Sequence, residues 1–481
     1  MTTTLILLPL VGALAVWLLP LSGRVAGGVA FLVLLAELAL WGVSVAQFRF
    51  GESLQLVDRQ EWFPDLGVSY HVGFFGFSLW LAGLTIVVCA AAIAYAWWAN
   101  RERGRAYHGL MLFLTGAVVG VFAAQDLLLF YVFFEAMLIP LYVLIGVWGG
   151  ARRVQATVKF VIYTMAGSLL MLASIIAFGL SQGTFDLVES GTSESAWIFL
   201  GFLVAFAVKA PLFPFHGWLV DAYRESPPEL SAILSGVISK AAVYGLLRIG
   251  LAKFGAPVDD FQVAILTLGA IGLVYASLLA FRARDVRTVV AYSSMGQMSL
   301  IVMGVFALNE LGVNGAVLHS VAHGLVSAAL FLLAGMVEAR TGGTSDFAHI
   351  GGFAKGRPAF ATLVLTVGVI GLAVPGSVIF VGEFLILAGI YAAGWWWAAI
   401  GAGAIVLAAM YMLRLISAVL HERPGSAVPD AALDLRPGEL AVLVPLVACL
   451  LALSAWPASV SDRAFTGGAT EVVRDFVEFP P

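Results

Sequence analysis

Two lysines lie inside long apolar stretches of the sequence, where a charged side chain is unusual. Lys209 lies in AFAVKAPLF, and Lys240 follows SAILSGVIS and precedes AAVYGLLRIG. An ammonium group at the centre of a bilayer costs about 2.5–3.5 kcal/mol on insertion scales, so such lysines normally have partners and a function. The simpler alternative is that both side chains extend to the membrane surface. Their depth in the apolar stretches favours a role in binding and transferring protons.

A carboxylate lies in another apolar stretch, DLLLFYVFFEAMLIPLYVLIGV, where Glu135 is the only acidic or basic residue after Asp126. An isolated carboxylate needs a cation, and Lys209 is the nearest partner in kind. Two unit charges about 4 Å apart attract by about 4 kcal/mol at an effective dielectric of ~20, which offsets much of their burial. If the pair separates, Lys209 can release a proton to a neighbour. The alternative is a static ion pair that only fixes helix packing.

Two histidines, His319 and His323, are four residues apart in NGAVLHSVAHGLVSAALF and therefore share one face of a helix. This spacing can bind zinc, but no glutamate lies between them as in HExxH and no third ligand is evident. An imidazole inside a membrane is better suited to relaying protons between its two nitrogens. A histidine that only packs is the alternative, more so for His319 than for His323.

A second acidic residue, Glu383, follows a proline-broken segment, GLAVPGSVIFVGEFLILAG, in which Pro375 lies in mid-segment. Lys209 likewise precedes Pro211 and Pro214, and proline removes a backbone donor and breaks a helix. Two broken helices at distant points of one chain are typical of the internal repeats of transporters, with the ion site at the break. We therefore expect two inverted five-helix repeats, each containing one broken helix, although the residues themselves show no clear repeat.

The elements that position these residues follow from the composition, which is 61% hydrophobic and 11% charged over 481 residues. This composition predicts an all-α, polytopic membrane protein. The MTTTLILLPL start has no Lys or Arg before its apolar run, which indicates a first spanning helix rather than a cleaved signal. Apolar segments near 20 residues long predict about fourteen transmembrane helices, near 3–20, 27–47, 77–98, 107–123, 126–147, 156–180, 197–220, 230–252, 260–281, 286–308, 311–336, 359–390, 395–420 and 438–456.

Four regions follow from this division of the chain. They are residues 1–106 with helices 1–3 and a loop at 48–76, 107–252 as the first repeat with helices 4–8, 253–420 as the second repeat with helices 9–13, and 421–481 with the last helix and a C-terminal tail. The alternation in SLQLVDRQEWF and VSYHVGFF predicts a short hairpin outside the membrane within the loop.

The charged residues of the loops predict the orientation of the chain in the bilayer. Alternate loops are rich in arginine and lysine, whereas those between them are mostly acidic, so the positive-inside rule places both termini on the non-cytoplasmic side. No basic patch suits a nucleic acid, and Cys89 and Cys449 are too few for a cysteine-ligated metal or iron–sulfur site. The basic residues predicted to face the cytoplasm are Arg24, Arg101, Arg103, Arg105, Arg152, Arg153, Arg224, Arg282, Arg284, Arg287, Arg340, Lys355, Arg357, Arg423 and Arg436.

The quoted segments resemble the antiporter-like membrane subunits of respiratory complex I, and among them the subunit M group. LLLFYVFFEAMLIPLYVLIGVWGG, VKFVIYTMAGSLLML, AFAVKAPLFPFHGWL, ILSGVISKAAVYGLLR, RDVRTVVAYSSM, HGLVSAALFLLAG and FVGEFLIL resemble the signature segments of that group in its order. They cover roughly helices four to thirteen. FFEAMLIP and the glutamate of FVGEF favour subunit M over the relatives in multisubunit cation/proton antiporters.

The resemblance implies a role for each buried ionisable residue. Glu135 and Lys209 would form a modulating ion pair, Lys240 would be the central proton carrier, and Glu383 would lead to the outer side. His323 matches a histidine on the central hydrophilic axis of the family.

The sequence also departs from the family pattern, chiefly at Gln297, where the segment after AYSS commonly carries a histidine. A glutamine can orient water but cannot itself carry a proton. We therefore treat Gln297 and His319 as possible relay residues. WLVDAYRESPPE and the Arg287-Thr288 pair also depart from the family, on the predicted cytoplasmic loops.

The function implied is that of a proton-translocating subunit of NADH-quinone oxidoreductase, an enzyme only as part of its complex. The chain has no glycine-rich phosphate loop after a strand and no cofactor-ligating cluster, so NADH, FMN, iron–sulfur clusters and quinone are expected in partner subunits. Its expected partners are other membrane-arm subunits, including neighbouring antiporter-like subunits, and the lipid bilayer. A subunit of a sodium/proton antiporter and a structural scaffold of the membrane arm are the two alternatives.

Overall fold

The apolar composition forces the backbone to satisfy its own hydrogen bonds, because lipid offers no partners, and helices do so within one segment. The computed structural model describes residues 1–50, 53–429 and 433–464. In these residues eleven helices are long and apolar enough to cross a membrane, and four shorter apolar helices accompany them. The predicted polytopic helical fold is confirmed, whereas the count of fourteen spans, the five-helix repeats and the four regions stay predictions. Residues 465–481 of the predicted tail lie outside the described residues.

The helices follow the predicted apolar segments closely. Their bounds are α1 Thr2–Leu18, α2 Gly23–Gln47, α3 Gly76–Trp98, α4 Gly104–Ala123, α5 Leu127–Ala136, α6 Leu138–Trp148, α7 Arg153–Gln182, α8 Ala196–Lys209, α9 Leu219–Glu225, α10 Pro228–Ile233, α11 Lys240–Gly245, α12 Ala256–Arg282, α13 Val286–Val305, α14 Glu310–Arg340, α15 Pro358–Gly371, α16 Val378–Ala393, α17 Trp395–Leu420, α18 Pro437–Ala455 and α19 Ala458–Ala464. A 3₁₀ turn, Pro64–Leu66, lies between the two strands described next.

The predicted hairpin is confirmed as an antiparallel pair of strands, β1 (Gln55–Phe63) and β2 (Val68–Phe74). It is the only β-sheet in the described residues, which otherwise contain isolated β-bridges. His71 holds it against the loop after α7, with Nδ1 2.7 Å from Oδ2 of the buried Asp186. Burial favours the neutral acid, but hydrogen bonds from His71 and the Val188 N–H, with the His71 and Arg59 charges, outweigh it and lower the pKa of Asp186.

Both predicted helix breaks are present. Helix α8 ends at Lys209, and turns containing Pro211 and Pro214 separate it from α9. Its last carbonyls are partly satisfied by the Trp218 indole, whose Nε1 donates to the Val208 oxygen over 3.0 Å. The second break separates α15 from α16 around Pro375. Lys209 therefore lies at the break itself, whereas Glu383 lies in the second turn of the following half-helix.

The helix that carries Lys240 is continuous from Pro228 to Leu251 but is not a regular α-helix. Two π segments, Leu234–Ile238 and Leu246–Leu251, flank α11, so Lys240 is the second residue after the first of them, next to Ser239. All residues from 228 to 251 are buried. Single π turns inside α-helices are frequent at functional sites because they shift the side chains and free backbone carbonyls.

A glycine pair brings this helix close to α14. A Cβ atom on Gly236 would lie 2.8 Å from the Gly324 oxygen, and one on Gly324 would lie 2.6 Å from the Gly236 oxygen. Any side chain at either position would therefore push the backbones apart. Small residues at such crossings allow membrane helices to approach closely, and this crossing brings the lysine of one helix to the histidines of the other.

Candidate functional site

The close crossing places Lys240 against His323. Lys240 Nζ lies 2.8 Å from the Ser235 carbonyl oxygen, 3.2 Å from Ser239 Oγ and 2.8 Å from His323 Nδ1. An ammonium has three donors, so the two serine oxygens and the imidazole nitrogen use all of them. Lys240 is fully buried, and its contact with His323 is one across which a proton can move between two nitrogens.

His319 lies one turn before His323 on the same helix, and the two rings face each other at 28° with centroids 6.3 Å apart. The interaction is ring against ring, with no direct hydrogen bond between the two side chains in the part of the chain that the structure describes. His319 Nδ1 is buried and has no hydrogen-bond partner among the described residues. The step between the rings therefore needs a water molecule or a rotation of one imidazole.

Gln297 joins His319 to Glu383. His319 Nε2 lies 2.6 Å from Gln297 Oε1, and Gln297 Nε2 donates to Glu383 Oε1 over 3.0 Å. The amide oxygen accepts, so the His319 proton resides on Nε2 in this arrangement. Gly382 permits the contact, because a Cβ there would lie 2.8 Å from the Cβ of His319. A histidine in place of Gln297 is thus not required to connect His319 with Glu383.

These contacts define the central axis, the series Lys240, His323, His319, Gln297 and Glu383, contributed by α11, α14, α13 and α16. All five side chains are at most 7% exposed. Buried polar groups that are mostly hydrogen-bonded to each other, inside a bilayer, are typical of a proton-conducting path. The sequence predicted each of these residues separately, and the structure brings them together.

Replacing Gln297 tests its place in the axis. Leucine at this position would remove both hydrogen bonds, and we expect proton transport to fall about tenfold, less than the roughly 10²–10⁴-fold that a group that itself transfers the proton contributes. Histidine can accept from one neighbour and donate to the other, so Gln297→His should retain transport. Proton uptake by vesicles with equal amounts of assembled protein measures both variants. Equal transport by the leucine and histidine variants would contradict this role.

Glu135 and Lys209 do not form a direct ion pair within 4.0 Å in the described residues. The Lys209 ammonium lies over the Phe134 ring, 4.6 Å from its centroid, with the Glu135 charge near enough to act on it. Lys209 is 2% exposed, whereas Glu135 is partly exposed on α5. An aromatic face attracts a cation and partly replaces its lost hydration. The structure thus places the two residues as neighbours, and their role as a switch stays a prediction.

Several polar residues beside Lys240 were not predicted from the sequence. Ser235 Oγ donates to Ser294 Oγ over 2.7 Å and also contacts Ser327 Oγ. Tyr244 and Arg248 follow Lys240 at successive turns, and Arg248 Nε donates to Gln125 Oε1 over 3.0 Å. Hydroxyls in apolar helices give no signal in a single sequence, because serine is common there. Arg248 was visible as a charge in the AAVYGLLRIG segment and could have been found by that criterion.

The helical fold and its buried ionisable axis define a membrane protein of the antiporter type. The family described as "NADH:quinone oxidoreductase/Mrp antiporter, TM" matches residues 124–408, which include every predicted proton-transfer residue. A relative from Rhodobacter capsulatus, "NADH-quinone oxidoreductase subunit M", is 35% identical over 85% of this chain and 83% of the relative. The chain therefore belongs to this family and to its subunit M branch, as the sequence segments predicted.

Solved structures agree with this assignment. A chain of respiratory complex I from Thermus thermophilus with bound NADH matches with a TM-score of 0.90 and 30% identity over 99% of both chains. A chain of the Mrp complex from a Dietzia species matches with a TM-score of 0.85 and 22% identity, over 97% of this chain and 52% of that one. The second match shows the shared fold alone.

Proposed function

We propose that this chain is a proton-translocating membrane subunit of respiratory complex I, NADH-quinone oxidoreductase. The observation that carries the proposal is the central axis, which joins Lys240 to Glu383 through His323, His319 and Gln297. The subunit M relatives and the Thermus thermophilus complex support it. The enzyme activity would belong to the assembled complex, with NADH, FMN, iron–sulfur clusters and quinone bound by partner subunits.

In the proposed mechanism, a charge displacement in a neighbouring antiporter-like subunit acts on Glu135 and Lys209. When the carboxylate moves away or is neutralised, Lys209 loses the charge that favours its protonation and pushes a proton toward Lys240. Lys240 then gives its proton to His323 Nδ1, which lies 2.8 Å away. The proton continues past His319 to Glu383 and leaves on the outer side, and Lys240 is reloaded from the cytoplasm.

The proposed setting is the bacterial cytoplasmic membrane or its equivalent, with both termini on the non-cytoplasmic side. The alternating loop charges support this orientation. The four predicted regions, with one broken helix in each five-helix repeat, would place Lys209 and Glu383 in related parts of the two repeats.

The variant Glu383→Gln tests whether protons leave the central axis through Glu383. Glutamine keeps the volume and can accept the hydrogen bond from Gln297 through its oxygen, but it cannot bind and release a proton. We expect NADH-driven proton transport to fall several-fold while the complex still assembles. Proton uptake by inverted membrane vesicles is the measurement, and Glu310→Gln, an exposed carboxyl at the start of α14, is the matched control. Unchanged transport per electron in Glu383→Gln would remove this residue from the path.

Two alternatives make different predictions. The first alternative is a subunit of a sodium/proton antiporter, a function consistent with the fold shared with the Mrp complex. It requires that transport depend on the sodium concentration. A structural scaffold requires that neutralising Lys240 or Glu383 lower the amount of assembled complex without changing the protons moved per electron. The same vesicle measurement, repeated with and without sodium and normalised to assembled complex, distinguishes all three functions.

A further inference from the structure

A buried carboxyl group lies outside the central axis, on α2. Glu37 is 0% exposed, and neither of its carboxyl oxygens has a hydrogen-bond partner among the described residues. No basic side chain of the described chain lies within 4.0 Å of it. It also lies outside the region 124–408 that defines the family. An ionised carboxylate without a partner in an apolar interior is strongly disfavoured and takes up a proton instead.

The helices packed around α2 give Glu37 neither an ion pair nor a hydrogen bond among the described residues. The buried Cys89 thiol on α3 lies close enough to Glu37 and to Thr115 on α4 to interact with both. The Thr115 hydroxyl in turn donates to the Met111 carbonyl oxygen over 2.9 Å. The Trp41 indole, one turn from Glu37, donates to the Leu79 oxygen over 2.9 Å. The Thr115 and Trp41 donors are therefore already used, and the buried Trp80 indole nitrogen on α3, which has no partner among the described residues, forms no hydrogen bond with Glu37.

The imidazole of this bundle is too distant to pair with Glu37. His108 on α4 lies beside Gly27, because a Cβ on that glycine would be 2.9 Å from His108 Nε2. Gly27 and Glu37 are ten residues apart on one helix, which is about 15 Å along its axis. Helix α1 presents no ionisable side chain to the bundle in the described residues. The other titratable residues of α2, α3 and α4, which are Arg24, Tyr95, Arg105 and Tyr107, likewise form no hydrogen bond with Glu37 among the described residues.

We propose that Glu37 is a second proton-binding site, separate from the central axis, that holds a proton in the folded protein. Its side chain is a neutral carboxylic acid between α2, α3 and α4. The proposal does not depend on the proposed function, because it follows from the packing of this bundle alone. Failure of either one leaves the other in place.

A neutral acid in this position has a distinctive reactivity. Dicyclohexylcarbodiimide, an apolar reagent, takes the acid proton on one nitrogen while the carboxyl oxygen bonds to its central carbon, giving an O-acylisourea. Migration of the acyl group from oxygen to nitrogen then gives a stable N-acylurea that retains every atom of the reagent. Leu32 and Val43 on the opposite face of α2 are exposed and apolar, so an apolar reagent can concentrate in the lipid beside this helix, whereas a charged one cannot.

Infrared spectroscopy of the assembled complex tests the protonation. The difference between the wild-type protein and Glu37→Gln should contain the C=O stretching band of a protonated carboxylic acid, and this band should persist at alkaline pH. Glutamine is a neutral isostere, so assembly should be normal. A difference that contains only carboxylate bands would overturn the proposal, as would a failure to assemble, which would mean that the ionised form has a structural partner.

Mass spectrometry of the unaltered protein gives a second test that needs no variant. The peptide containing Glu37 should gain the mass of dicyclohexylcarbodiimide, and a charged, water-soluble carbodiimide should not modify it. The Glu37→Gln peptide is the control for the site of addition. Modification by the charged reagent would contradict a buried neutral acid.

Discussion

NADH-driven proton transport is expected to fall about a hundredfold when Lys240 is replaced by methionine, in the range that one positioned proton-transfer group contributes. Methionine has nearly the same length and leaves no cavity, and Lys240 has no carboxylate partner whose charge would be left unbalanced. The Ser235 and His323 contacts would be lost, and with them the group that exchanges a proton with the imidazole. Proton uptake in inverted vesicles, normalised to assembled complex, is the measurement.

Lys253→Met is the matched control for this prediction. Lys253 is also a buried lysine, 7% exposed, but its ammonium donates to the Ser190 oxygen over 2.7 Å, away from the histidines of the axis. Its replacement should leave the protons moved per electron unchanged. If Lys240→Met pumped normally, the central lysine would be structural, and the scaffold function would replace the proposed one.

Lys209→Met should lower electron transfer and proton transport together, by about tenfold. The two charges are more than 4 Å apart and so attract by less than about 4 kcal/mol at an effective dielectric of ~20, but about 1.36 kcal/mol of this attraction already corresponds to a factor of ten. The ammonium contacts the Phe134 ring and has no hydrogen bond in the described residues. Its removal should therefore cost little stability. NADH oxidation with added quinone, measured beside proton uptake, checks whether both activities fall.

Lys159→Met is the control here, because this lysine is in the neighbouring α7 and pairs with Asp221 over 2.8 Å at an exposed position. Exposed pairs of this kind contribute little, about 0–1 kcal/mol. We expect both activities to remain near the wild-type level in this variant. Normal coupled activity in Lys209→Met would show that the charge next to Glu135 is not a switch, even if Lys240 is essential.

The ionisable residues of the site could be predicted from the sequence because charges are rare in apolar segments. Lys240 and Glu383 are conspicuous against their surroundings, and the prolines near Lys209 mark a helix break for a simple steric reason. The β hairpin was also predictable, because its side chains alternate with a period of two. These signals are local, and each can be read within about twenty residues.

The connections between the residues could not be predicted, because they depend on how distant helices cross. The close contact between Gly236 and Gly324 brings Lys240 next to His323. The sequence has 52 glycines, and nothing in it indicates that these two are in contact. The link of Gln297 to both His319 and Glu383 requires three helices to be placed at once. We expected Glu135 to contact Lys209 directly, but the ring of the adjacent residue, Phe134, faces the lysine instead.

The burial of the Lys240 helix has a consequence for how the protein responds to its lipids. Residues 228–251 and 315–337, which carry Lys240 and both histidines, are buried throughout, so the other helices separate them from the acyl chains. A change in bilayer thickness is accommodated by tilting and by the side chains that contact lipid. Phe384, next to Glu383, is 59% exposed and belongs to that outer layer. Acyl-chain length should therefore act on proton release at Glu383 and leave the exchange between Lys240 and His323 unaffected.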